Sequence, residues 1–171
     1  KYNLIVYGAT GFTGQLICEY ISKNSEFKDL TWAISGRNIN KLVQLSKKYD
    51  VDYLVADSYN KEQLDTMCLS TDTVISTVGP YDIYGDLLVM SCVDNKTHYL
   101  DLTGENIFVR RIYKKYSKKS VDSDIIIMHC CGFDSLPPDL CTFLALENIK
   151  EKTVDLTYNI KTKGKISGGT W

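Results

Sequence analysis

Six short apolar runs, each leading into a stretch with helical spacing, constrain this chain more than any other feature of its sequence. Leu4–Tyr7 stops at Gly8, and Phe12–Lys23 then places apolar residues at Phe12, Leu16, Ile17, Tyr20 and Ile21, the helical period. Thr31–Ser35 ends at Gly36. Asn38–Tyr49 follows as a helix, with Ile39, Leu42, Val43 and Leu45 expected inward and Lys41, Lys47 and Lys48 outward. Further strands are expected at Asp52–Ala56, Thr73–Val78, Tyr99–Leu102 and Ile125–His129. Helices are expected at Lys61–Leu69, Asp86–Asn95, Asn106–Lys119 and Asp139–Asn148. Apolar strands alternating with helices demand a parallel sheet covered on both faces. The expected fold class is therefore α/β, a doubly wound parallel sheet of about six strands.

The pattern changes at Thr153–Ile160, where Val154, Leu156, Tyr158 and Ile160 alternate with Asp155, Thr157 and Asn159 as in a half-exposed strand. The expected organisation is a dinucleotide-binding domain over 1–150, with 151–171 opening a second, substrate or dimerisation domain. A first residue that is Lys rather than Met adds the expectation of a piece of a longer protein, whose targeting signals are not on view.

The sharpest motif is Gly8-Ala9-Thr10-Gly11-Phe12-Thr13-Gly14, a G-x-x-G-x-x-G between the first strand and the first helix. Glycine is required where backbone turns sharply and where a pyrophosphate must approach the main chain. The helix that follows offers unpaired N–H groups and a positive dipole end. A glycine triplet alone also serves ordinary tight turns, but its place at the start of a strand–helix alternation is the context of dinucleotide binding.

The second strand chooses between the two nicotinamide cofactors. An NAD site places an acid about 20 residues past the glycines to hold the ribose 2′-OH. This strand instead ends Ser35-Gly36-Arg37-Asn38. A guanidinium matches a 2′-phosphate in charge and in bidentate geometry, so NADP(H) is the expected cofactor. Asp57, past the third strand, either borders the adenine pocket or caps the next helix. The fourth strand ends Ser76-Thr77-Val78-Gly79-Pro80-Tyr81, and its carboxyl end is expected beneath the nicotinamide ribose.

Composition narrows the remaining classes. A net charge of −1 gives no electrostatic footprint for nucleic acid. No apolar stretch nears the roughly 20 residues of a membrane span. The six cysteines show no zinc spacing and fall mostly in apolar contexts, which implies structural thiols in a reducing, intracellular setting. No metal is expected, and the basic outer face of Asn106–Lys119 reads as a solvated helix surface.

The glycine turn, Ser35-Gly36-Arg37, Val78-Gly79-Pro80-Tyr81-x-x-Tyr84-Gly85, Tyr99-x-Asp101-x-Thr103-Gly104-Glu105 and Cys131-Gly132-Phe133-Asp134-Ser135-x-Pro137 together resemble the saccharopine dehydrogenase-like oxidoreductases. The resemblance runs over nearly the whole chain and implies an N-terminal NADP-binding Rossmann domain followed by a mixed substrate domain. It favours the branch that includes trans-acting enoyl reductases over the saccharopine reductases of lysine metabolism. It further implies an oxidoreductase that passes hydride to a C=N, C=O or C=C bond of a small-molecule substrate that it does not identify, a lipid being one candidate. The parent's lipid-droplet or membrane association and homodimerisation are expectations of the same kind, and the segment alone is expected to be inactive.

No residue stands out as the catalytic acid. Tyr81, Tyr84, Tyr99, Asp101, Glu105 and Asp134 lie near the expected cofactor edge, while Tyr99 and Asp101 fit core packing or loop bracing equally well. His98 and His129 read as structural. The short-chain dehydrogenase alternative lacks its Tyr-x-x-x-Lys pair, since no Tyr here is followed four positions later by Lys. A non-catalytic NADP(H) sensor would carry the same glycine turn and Arg37.

Overall fold

The computed structural model describes residues 1–147, 149, 155–159 and 161. Strands β1 (Tyr2–Tyr7), β2 (Trp32–Gly36), β3 (Asp52–Val55), β4 (Thr71–Ser76), β5 (His98–Asp101) and β6 (Ile127–Met128) form one sheet in the order β3-β2-β1-β4-β5-β6. Every pairing is parallel, with Ile5 beside Ala33 on one side and Val74 on the other. Helices α1 (Phe12–Lys23), α2 (Ile39–Tyr49), α3 (Lys61–Leu69), α4 (Tyr81–Asp94) and α5 (Asn106–Asp122) make the crossovers, and α6 (Leu136–Glu147) follows β6. Because β1 has β2 on one flank and β4 on the other, sheet growth reverses direction there. A crevice opens above its carboxyl end.

Strand geometry sends neighbouring side chains to opposite faces, and the second half of β1, Ile5 to Tyr7, is buried on both. Val6 packs with Cys18 and Ile21 of α1, Ile34 of β2, and Leu42 and Leu45 of α2. Ile5 packs on the other face with Val74 of β4, Leu64 and Met67 of α3, Leu88 and Cys92 of α4, and Phe108 and Ile112 of α5. Each such aliphatic side chain stabilises the fold by about 1.5–3 kcal/mol through removal from water.

The helical faces depart from the expectation in places. Phe12, Leu16 and Tyr20 are more than half exposed, and α1 instead buries Gly14, Cys18 and Ile21. A glycine and a thiol let the helix axis come close to β1, and Ile21, one of the apolar residues of the expected period, completes the inner stripe. Ile39 of α2 is likewise exposed, whereas Leu42 and Leu45 are buried. Helix α4 starts at Tyr81, five residues before the expected Asp86, and α6 starts at Leu136 rather than Asp139. In α6 the prolines 137 and 138 fall in the first turn, where a missing N–H breaks no helical bond. Of the expected strand over 153–160, positions 153, 154 and 160 lie outside the described residues, and 155–159 form no strand.

Candidate cofactor site

The turn after β1 is built from main chain. Gly8 adopts φ +86°, and a Cβ there would stand 2.6 Å from Thr77 Oγ1 and 2.7 Å from Val78 Cγ2. Its N–H donates to the carbonyl of Ser35 at 2.9 Å, and Gly11 N–H donates back to the Gly8 carbonyl at 2.9 Å, which closes the loop. Gly14 serves packing: a Cβ would lie 2.3 Å from Gly8 O and 2.7 Å from Ala9 Cα. Gly11 caps α1 without a side chain, so the N–H groups of Phe12 and Thr13 remain free to meet an anion.

A cleft of about 330 Å³ lies over this turn, walled by the carboxyl ends of β1 to β4. Of the residues expected from sequence, Gly8, Thr10, Gly11, Arg37, Asp57, Thr77, Val78, Gly79 and Pro80 line it together. Arg37 has no hydrogen-bond or ion-pair partner among the described residues and stands exposed at the cleft wall. An unpaired guanidinium beside free helix N–H groups is a site of positive potential that suits a phosphate ester.

Six expected residues sit elsewhere. Phe12, Thr13 and Gly14 open α1 and do not line the cleft, with Phe12 more than half exposed and Gly14 buried. Ser35 is fully buried, and its carbonyl, not its hydroxyl, braces the glycine loop through Gly8 and Ala9. Asn38 is committed to α2, where its side chain accepts from Lys41 N–H at 3.1 Å. Tyr81 points into the core and donates its hydroxyl to the Ser76 carbonyl at 3.0 Å. Burial pushes its phenol well above the ordinary value, with the Asp101 carboxylate adding to the effect, so it stays a fixed donor.

The loop after β3 removes the helix-cap reading of Asp57. Asp57 lines the cleft and its Oδ1 accepts from Tyr59 N–H at 2.9 Å, while the cap of α3 is Asn60. Sequence reasoning missed Tyr7, Gly36, Ser58 and Tyr59 as cleft residues, and it placed Tyr84 only near the cofactor edge. Tyr7 ends β1 and shares a hydrogen bond with Ser58 at 2.8 Å, and burial pushes its phenol up despite that bond. The position of Tyr59, an aromatic residue in a loop directly after a strand's carboxyl end, was the available signal.

The other candidate acids act on the chain itself. Asp101 is buried, and its Oδ1 accepts from Thr103 and Cys130 N–H groups at 3.1 and 3.2 Å. Its Oδ2 lies 2.7 Å from His129 Nδ1, and His129 stands edge-on to Tyr99 and Phe108. Both oxygens of Glu105 hold main-chain N–H groups of α4. His98 Nδ1 accepts from Ile126 N–H at 3.0 Å. Asp101 and both histidines are therefore braces, as packing at these strand ends suggested.

A 3-2-1-4-5-6 parallel sheet with a glycine turn and a cleft at its switch point defines the class of dinucleotide-binding Rossmann domains. Residues 4–128 match the saccharopine dehydrogenase NADP binding domain, and the chain belongs to that family. It is 35% identical over 149 residues to a lipid droplet localized protein of Caenorhabditis elegans, covering 82% of this chain and 35% of that protein. It is 32% identical to the saccharopine dehydrogenase-like oxidoreductase of Mus musculus, covering 99% of this chain and 44% of that protein. A protein named as a trans-acting enoyl reductase in Mycobacterium tuberculosis is 33% identical, with 99% and 42% covered. The chain thus spans less than half the length of these relatives. In fold it is similar to apo saccharopine dehydrogenase (L-Glu forming) from Saccharomyces cerevisiae. That match has a TM-score of 0.72 at 20% identity and covers 86% of this chain and 31% of the yeast chain. The chain is an NADP-binding domain of the saccharopine dehydrogenase-like oxidoreductases.

Proposed function

We propose that the cleft holds NADP(H) with its 2′-phosphate on Arg37, and that the whole protein transfers hydride between this cofactor and a C=N, C=O or C=C bond. The observation that carries the reading is the unpaired Arg37, next to a glycine turn that a Cβ at Gly8 or Gly14 would block. The bound nicotinamide supplies the hydride, and the protein supplies position and electrostatics. Gly8 and Gly11 let the pyrophosphate reach the main chain, and the Phe12 and Thr13 N–H groups neutralise it. Thr77, Val78, Gly79 and Pro80 form the floor toward the nicotinamide ribose.

The identities of 32–35% to a saccharopine dehydrogenase-like oxidoreductase, a trans-acting enoyl reductase and a lipid droplet localized protein support a lipid-like substrate over an amino-acid adduct. They also support a lipid-associated whole protein, and no described helix is long and apolar enough to cross a membrane. We assign residues 1–150 to the cofactor domain and 151–171 to the opening of the substrate domain, whose remainder completes the pocket over the nicotinamide. The chain alone is accordingly expected to bind cofactor without turnover.

Calorimetric titration with NADPH and NADH tests the assignment. Native protein is expected to bind NADPH more tightly. Arg37→Ala is expected to remove that preference, by about ten-fold or more, without altering NADH binding. Equal binding of both cofactors to native protein would sink the 2′-phosphate assignment.

A further inference from the structure

We infer that Tyr59 is the platform on which the adenine of the dinucleotide stacks, with the Tyr84 ring fixing its orientation. The inference rests on the cofactor reading above and adds a base-recognition residue to it.

Tyr59 is 67% exposed although it is a large aromatic side chain, and it lines the same cleft as Arg37. Its backbone, by contrast, is tightly held. Tyr59 N–H donates to Asp57 Oδ1 at 2.9 Å, Asn60 N–H to the Asp57 carbonyl at 3.0 Å, and Asp57 N–H to Gln63 Oε1 at 3.0 Å. Ser58 is tied to the buried Tyr7 hydroxyl at 2.8 Å. A fixed loop therefore presents a ring that the core does not use.

Tyr84, one turn into α4, meets that ring edge-to-face, with centroids 5.5 Å apart and planes at 71°. Such a contact holds an aromatic plane while covering little of its face. The pair is thus pre-oriented, which reduces the ordering cost when a flat group arrives.

Connectivity of the ligand decides which flat group that is. The 2′-phosphate is carried by the ribose that bears adenine, so a phosphate on Arg37 puts the base on the β2–β3 side of the cleft. Arg37 follows β2, Tyr59 follows β3, and these strands are neighbours in the sheet. Asp57, the acid of this loop, fixes the Tyr59 main chain through Oδ1, which holds the ring in place beside the cleft. Stacking is indifferent to the 2′-phosphate, which separates this residue's contribution from that of Arg37.

The test is calorimetric titration of the protein with adenosine 2′,5′-bisphosphate, NADPH and NADH. Tyr59→Leu is expected to weaken all three by a similar factor of about ten, while Tyr59→Phe, which keeps the ring, binds as native. Arg37→Ala weakens only the two ligands that carry the 2′-phosphate. Because the Tyr59 ring is mostly exposed, both Tyr59 variants are expected to melt with the native protein. If native protein and Tyr59→Leu bind adenosine 2′,5′-bisphosphate equally, the stacking inference is overturned and the cofactor site stands. If native protein binds neither that fragment nor NADPH, the cofactor reading falls and the inference with it.

Discussion

Glu105, at the foot of α5, accepts the main-chain N–H of Tyr81, the first residue of α4, at 2.8 Å through Oε1. Its Oε2 takes the next N–H, that of Asp82, also at 2.8 Å. One carboxylate thus satisfies two of the orphan donors at the start of α4 and meets the helix dipole there. Arg111, further along α5, ties the same region down by bridging Asp82 and Asp86. The consequence for function is selective. Four helices start at the carboxyl edge beside the cleft; α2 and α3 are capped by Asn38 and Asn60, and α4 is already occupied by the chain's own anion. Helix α1 has no side-chain cap and is left for the ligand's.

Replacing Glu105 by Ala is expected to destabilise the fold by about 1–2 kcal/mol, the range for a lost helix cap. Glu105→Gln keeps an acceptor and falls between the two. Urea unfolding followed by circular dichroism measures both, and a fully native midpoint for Glu105→Ala would remove the capping role.

Gly14 and Gly104 form a matched pair of substitutions. A methyl at Gly14 would collide with backbone at 2.3 Å, whereas one at Gly104 meets nothing within 4 Å. Gly14→Ala is expected to cost about 1–3 kcal/mol and to weaken dinucleotide binding by shifting α1 off the turn. Gly104→Ala is expected to be neutral in both thermal unfolding and titration.

Asp101 gathers two N–H groups and the His129 ring into one buried contact. Asp101→Ala strands those donors and is expected to cost about 3 kcal/mol or more. The protease sensitivity of the 129–135 segment should rise in parallel, because His129 and the Cys130 N–H both hang on the Asp101 carboxylate that the substitution removes. Native-like digestion kinetics for this variant would show that the segment is held by other means.

Burial pushes the Cys18 thiol up to about 12, from 9.0. The native state therefore holds a proton there that the unfolded chain releases. Stability is fully present below pH 9 and falls as pH rises from 9 toward 12. Cys18→Ala should lose less stability than the native protein across that window, with the difference read from unfolding midpoints at pH 8 and pH 11. At pH 8, thiol labelling should reach exposed Cys141 first and buried Cys18, Cys68 and Cys92 only on unfolding.

Much of the architecture was legible because it is written in local patterns. The alternation of apolar runs and helical spacing located all six strands and their crossovers, since period and turn residues act over a few neighbours. The faces of α1 were legible only in part. Ile17 and Ile21 turn inward as the helical period implies, but Phe12, Leu16 and Tyr20 stay exposed, and the places nearest β1 go to Gly14 and Cys18 because close approach rewards small side chains. The start of α4 was misplaced for a related reason: its cap comes from Glu105, far along the chain.

By itself the sequence determined the doubly wound α/β class, the glycine turn and the arginine at the end of β2, because these depend on backbone freedom and residue chemistry at single points. Tertiary structure alone decided that Ser35 and Tyr81 face inward, that Asp101 and Glu105 serve the chain as braces, and that Tyr59 and Tyr84 meet at the cleft. Those outcomes are contacts between segments remote in sequence, and only the closing of the sheet brings them within reach of one another.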